Sequence, residues 1–194
     1  MRLGHFNFFF SRNYEIKALE SYSLAHPAEK LYQFPAQIEE QDRTGVYARV
    51  IPKNAPPWVG FFALGFDSEQ VANGIYSCPD PDSLCVAVGG YVYIVNAADP
   101  STWVQVEQRP VIEVRALPEL KLLLFTGFTS ITAFGETGRL WTTEKLSWEG
   151  ITVTEINAQT LNGNGWDALA DQEVPFEVDL LTGQSHGGAR PAKK

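Results

Sequence analysis

Apolar residues come in short runs along the whole chain, most of them alternating with polar residues, and each run is stopped by proline, glycine or an Asx-rich cluster. Alternation at a period of two marks a strand with one buried face. The pattern predicts strands over Phe6–Phe10, Tyr14–Leu19, Leu31–Phe34, Val46–Ile51 and Trp58–Leu64. It continues through Gly74–Cys78, Leu84–Val88, Tyr91–Val95, Trp103–Glu107, Val111–Ala116, Lys121–Thr126, Thr129–Phe134 and Leu140–Thr143. Ile151–Ile156 and Val174–Leu180 close the series. Between them, Asn162-Gly163-Asn164-Gly165 offers two Asn-Gly steps and is expected to form a tight reversal. Gln184–Lys194 lacks apolar periodicity and reads as a loose tail, so one domain over 1–183 and a flexible tail over 184–194 are expected.

The strands are also periodic among themselves. Leu84, Gly89 and Trp103 recur 38 positions later as Leu122, Gly127 and Trp141. A looser third copy aligns Ala25, Pro27, Lys30, Leu31 and Phe34 with Ala116, Pro118, Lys121, Leu122 and Phe125. Four strands per repeat, with a proline-containing turn before the second and glycine after it, resemble the blades of a β-propeller. The resemblance covers Ile75–Trp148 well and Tyr14–Phe62 loosely. It implies an all-β, propeller-like chain of repeated four-stranded antiparallel meanders. A fourth blade would come from Ile151–Leu180, completed by the N-terminal Phe6–Phe10 strand. The alternative for the same strands is a β-sandwich. No Trp-Asp dipeptide ends a blade and no glycine doublet keeps register, so no propeller family lends its functional residues.

Composition narrows the function classes. A formal charge of −8 and a pI near 4.9 exclude a phosphate backbone as main partner, because nucleic-acid binding needs a basic footprint. The same charge favours a basic protein partner. The aromatic run at Phe6–Phe10 is cut short by Asn7 and by Ser11-Arg12-Asn13, and no segment approaches the roughly 20 apolar residues of a membrane span. A cytoplasmic protein without membrane contact is expected. Oligomeric state has no signature in the sequence.

Catalytic and cofactor chemistry finds few candidates. His5, His26 and His186 do not share metal-ligand spacing, no Gly-x-Ser-x-Gly elbow occurs, and Gly183–Gly188 lacks the ending of a phosphate loop. No cofactor or metal is expected. Asp80 and Asp82 read as turn caps, and Cys78 and Cys85 as free, buried thiols. Two loops stand out instead: an acidic one at Glu39, Glu40 and Asp42, and an aromatic-acidic one at Trp166, Asp167, Asp171 and Glu173. Tryptophan ringed by carboxylates suits a basic protein surface. The expected function is therefore a non-catalytic protein-binding module, of which a bacterial immunity or inhibitor protein is one form. The alternative is a glycan-acting hydrolase drawing its carboxylate pair from Asp167, Asp171 and Glu173.

Overall fold

The computed structural model describes residues 6–20, 29–37 and 44–189. The strands are β1 (Phe6–Asn7), β2 (Tyr14–Leu19), β3 (Lys30–Phe34), β4 (Gly45–Pro52), β5 (Trp58–Ala63), β6 (Gly74–Ser77), β7 (Ser83–Val88), β8 (Tyr91–Asn96) and β9 (Trp103–Gln105). They continue with β10 (Val111–Leu117), β11 (Leu122–Gly127), β12 (Ile131–Gly135), β13 (Gly138–Thr142), β14 (Ile151–Ile156), β15 (Thr160–Asp167), β16 (Gln172–Asp179) and β17 (Ser185–Gly187). Four small sheets result, in the orders β2-β4-β5-β3, β1-β6-β7-β8-β9, β10-β11-β12-β13 and β14-β15-β16-β17. The chain is all-β and propeller-like: apart from β1, each sheet draws its strands from one contiguous stretch, as blades do, where a sandwich would trade strands between its sheets. It divides into two compact units, Met1–Pro110 and Val111–Lys194, where one domain ending at residue 183 is expected from the sequence.

In the first unit, β4 alternates buried and half-buried residues along its length, turning Val46, Ala48 and Val50 inward. These pack with Tyr14, Phe34 and Phe62 against Leu84, Val86, Val88, Tyr93 and Val95 of the neighbouring sheet. Phe34 stacks on Phe62 at 4.9 Å between ring centroids and meets Trp103 edge-on at 5.5 Å. The Tyr93 hydroxyl, which burial would leave unpaired, donates to the carbonyl of Ala63 at 3.1 Å. Two expectations need correction here. β3 lies at a sheet edge parallel to β5, whereas β11 is an inner antiparallel strand, so the third sequence copy is not a structural repeat. β1 pairs parallel with β6, Phe6 opposite Ile75, and does not complete the last sheet. A strand preceding β2 reaches the next sheet directly because Asn13 anchors the intervening turn, its N–H donating to Pro81 O at 2.8 Å.

In the second unit both sheets are antiparallel meanders. Leu122, Leu124, Ile131, Ala133 and Trp141 pack against Ile151, Leu161, Phe176, Val178 and Leu180. The expected reversal at Asn162–Gly165 is overturned: these residues run through the middle of β15. Glycine is there for room, not for a turn. A Cβ on Gly163 would lie 2.5 Å from the Phe176 ring and from Thr152 O, and one on Gly165 would lie 2.1 Å from Leu146 O. The fourth sheet is completed by β17, whose Ser185, His186 and Gly187 pair with Val178, Glu177 and Phe176, so strand order persists past residue 183 into the segment read as a tail.

Candidate functional site

Period-two alternation in β15 builds the site. Leu161, Gly163 and Gly165 face the core, which sends Asn164 and Trp166 to the opposite face. On that face Thr152 of β14 stands opposite Asn164, and Glu173 of β16 opposite Trp166. The turn before β14 closes the other wall. These groups line a cleft of about 330 Å³ formed by Glu149, Gly150, Ile151, Thr152, Asn164, Trp166 and Glu173.

The walls are held by main-chain bonds centred on Ser147, which is fully buried. Its hydroxyl accepts from the Trp166 N–H at 2.8 Å and the Glu149 N–H at 3.1 Å, and donates to Gly150 O. Trp148 N–H donates to Trp166 O at 2.9 Å. The turn that carries Glu149 and the strand that carries Trp166 are thus fixed to one another through one serine. Asn164 Nδ2 reaches Glu173 Oε2 at 3.4 Å across the cleft floor. Beside it, the Lys145 ammonium lies 2.9 Å from the centroid of the Trp148 indole.

The sequence candidates separate. Trp166 and Glu173 line the cleft. Asp167 does not: its Oδ1 accepts from the N–H groups of Leu169 at 2.9 Å and Ala170 at 3.3 Å, capping the β15–β16 turn. Asp171 ends that turn at φ 51, a left-handed position that Asp tolerates. The aromatic-acidic loop is therefore part cleft and part turn chemistry, and only Glu173 of the three glycan-hydrolase carboxylates lines the cleft. Glu39, Glu40 and Asp42 lie outside the described residues. Sequence reasoning missed Glu149 and Ser147. The only signal was their place in a polar gap beside Trp148, and nothing local indicates that this gap folds over β15.

Asp80 acts as a turn cap, its carboxylate accepting from Asp82 N–H at 3.0 Å and from the Ser83 hydroxyl at 2.7 Å. Cys78 and Cys85 are free and buried, and burial raises both thiol pKa values. Large apolar side chains remain exposed on the segments that adjoin the cleft residues: Leu169 at the β15–β16 turn is 76% exposed and Trp148, next to Glu149, is 39% exposed. Among the described residues no helix is long and apolar enough to cross a membrane.

No family model matches the chain. No curated protein matches it. Among solved structures it is similar to the crystal structure of the N-terminal domain of Nup159, at 13% sequence identity and a TM-score of 0.37, over 94% of this chain and 52% of that one. The chain thus spans about half the length of that structure, and a likeness at this score carries no argument about function.

Proposed function

We propose that the protein is a non-catalytic binding module whose contact surface is the face of β14–β16 that carries the Trp166 cleft, and that its partner is a basic protein. The observation that carries this reading is the convergence at one end of β16 of an aromatic cleft, two carboxylates and the exposed side chains of Trp148 and Leu169. Exposed aromatic and aliphatic anchors beside a concave, preformed site are the anatomy of a protein-contact patch. Rigidity supports it too, since the Ser147 bonds fix the cleft before anything binds. The net charge of −8 steers a cationic partner toward such a surface. Immunity to, or inhibition of, a basic toxin-like chain is one form this activity would take.

The test is site-directed photo-cross-linking in the native host. A photoreactive side chain in place of Leu169 should trap a discrete protein partner, whereas the same group in place of Leu181, at the β16–β17 turn and 70% exposed, should not. Trp166→Ala should abolish the adduct. Equal trapping from both positions, or an adduct indifferent to Trp166→Ala, overturns the proposal. Specific retention of an oligosaccharide by the wild-type chain, lost with Trp166→Ala, would favour a glycan site instead.

A further inference from the structure

Resting on that reading of the cleft, we propose that its occupant is a single guanidinium: an arginine side chain of the basic partner, laid along Trp166 and hydrogen-bonded by the carboxylates of Glu149 and Glu173. The cleft volume, about 330 Å³, sits at the low end of the roughly 300–1,000 Å³ typical of small-molecule pockets. That leaves room for one long side chain and some water, and not for a helix or a strand. The lining chemistry then selects the head group. Among the described residues it contains two carboxylates, one amide and one indole, and no basic residue. Neither Glu149 nor Glu173 is ion-paired with a described residue, and among the described residues Glu173 has a single 3.4 Å bond, from Asn164 to one of its oxygens.

Arginine fits this set better than lysine. A guanidinium carries five donors in a planar fork, so it can serve two carboxylates while its plane lies on an aromatic face. An ammonium is a compact, strongly hydrated point charge that gives up more hydration for each contact. Among the described residues, Lys145 on the segment leading into the cleft turn does not fill the role, because its ammonium is held over Trp148. The Lys145–Trp148 pair is a cation–π contact made within the chain itself. Trp166 opposite Glu173 in the β15–β16 register offers the same chemistry with a carboxylate beside it.

The experiment is an NMR titration of the full chain with acetyl-Gly-Arg-Gly-amide, and with the same peptide carrying citrulline or lysine in place of arginine. Citrulline keeps the shape and loses the charge. The arginine peptide should shift the Trp166 indole N–H together with the Gly150 and Thr152 amides. Citrulline should bind roughly tenfold more weakly, and raising the salt should weaken the arginine peptide. The Glu149→Gln/Glu173→Gln double variant, altered at exposed positions and checked by its unchanged near-ultraviolet spectrum, should lose about tenfold in affinity for the arginine peptide. Equal binding of citrulline, stronger binding of lysine, an unaltered affinity in the double variant, or no shift at millimolar peptide each overturn the arginine assignment. If the peptide fails while the Leu169 adduct forms and depends on Trp166, the guanidinium falls and the contact surface stands. If the adduct also fails, the contact surface falls with it.

Discussion

The indole N–H of Trp141 donates to the carbonyl of Leu180 at 3.1 Å, fastening β13 to the residue that follows β16 in the next sheet. The same bond exists in the first unit, where Trp58 donates to Ala97 O at 2.8 Å. Both bonds span 39 residues, both are buried, and both acceptors come one residue after the third strand of a meander, β8 or β16. Asn96 and Asp179, the last residues of those strands, each turn the chain by accepting two main-chain N–H groups. The sequence repeat aligns Trp141 with Trp103, yet in hydrogen bonding its counterpart is Trp58.

Trp141→Phe should cost about 1–3 kcal/mol, because the ring still packs while the buried Leu180 carbonyl loses its donor. Trp141→Ala should cost about 3–5 kcal/mol through the added loss of packing. Gly183, at φ 71 and with its absent Cβ pointing 2.6 Å from the indole, should reject alanine as well. Urea denaturation of the three variants measures this. A Trp141→Phe variant as stable as the parent would remove the tie from the account.

Gly165→Ala should do harm of a different kind. The new methyl would meet Leu146 O, a backbone atom that moves only with the Ser147 turn. Overpacking of this sort costs about 1–3 kcal/mol, and here the strain falls on the cleft wall, so the near-ultraviolet signal of Trp166 should change. Gly138→Ala is the control, with nothing within 4 Å of the added carbon and only its φ of 104 against it. It should leave that signal unaltered.

How far the fold was legible depends on whether the deciding interactions were local. Leu84 and Leu122 were readable as core because β7 and β11 are near-continuous apolar runs of strand length, buried on both faces, and both residues are buried. Asn162–Gly165 was misread because Asn-Gly is a turn signal at short range, while the demand for glycine came from Phe176 and Leu146, far along the chain. The alternation of Asn and Gly was itself a period-two signal, with the missing side chains on the inner face. Of the site, Trp166 and Glu173 stood out by type, whereas Asp167 drew attention and proved to be a turn cap. Glu149 was invisible because its position follows from Ser147 bonding across to β15.

Leu122→Ala should cost about 2–5 kcal/mol, since the side chain lies inside the second unit's core and leaves a cavity. Leu31→Ala, at the equivalent place in the third sequence copy but half-buried on an edge strand, should cost clearly less. Equal losses in chemical denaturation would restore the third copy as a true repeat.

Cys78 and Cys85 should be silent to a thiol reagent in the native protein and should both react once it is unfolded. Both are buried, neither is in a disulfide, and the reactive species is the thiolate, which burial disfavours. Titration with and without denaturant, in the absence of reductant, reads the outcome. Reaction of either thiol at native conditions on the timescale of mixing would show that the β6–β7 connection opens locally.

The same burial gives the first unit an alkaline limit. Desolvation raises the thiol pKa of Cys78 and Cys85 above the ordinary 9.0, and it raises the phenol pKa of Tyr14 and Tyr93 above the ordinary 10.0. Tyr14 is further held neutral by donating to Ser83 O at 3.1 Å, and Tyr93 by donating to Ala63 O. Above those ordinary values the unfolded chain releases protons that the folded chain keeps, so the folded state binds more protons and stability must fall as pH rises. Each group contributes at most about 1.4 kcal/mol per pH unit while it is ionised only in the unfolded state. Stability from these four groups should be flat to about pH 8, decline from about pH 9 as the thiols act, and steepen past about pH 10 as the phenols join. Urea titrations between neutral and strongly alkaline pH give the curve. In a Cys78→Ala/Cys85→Ala variant the first decline should vanish and the second remain, and a variant that kept the first would assign it to groups other than the buried thiols.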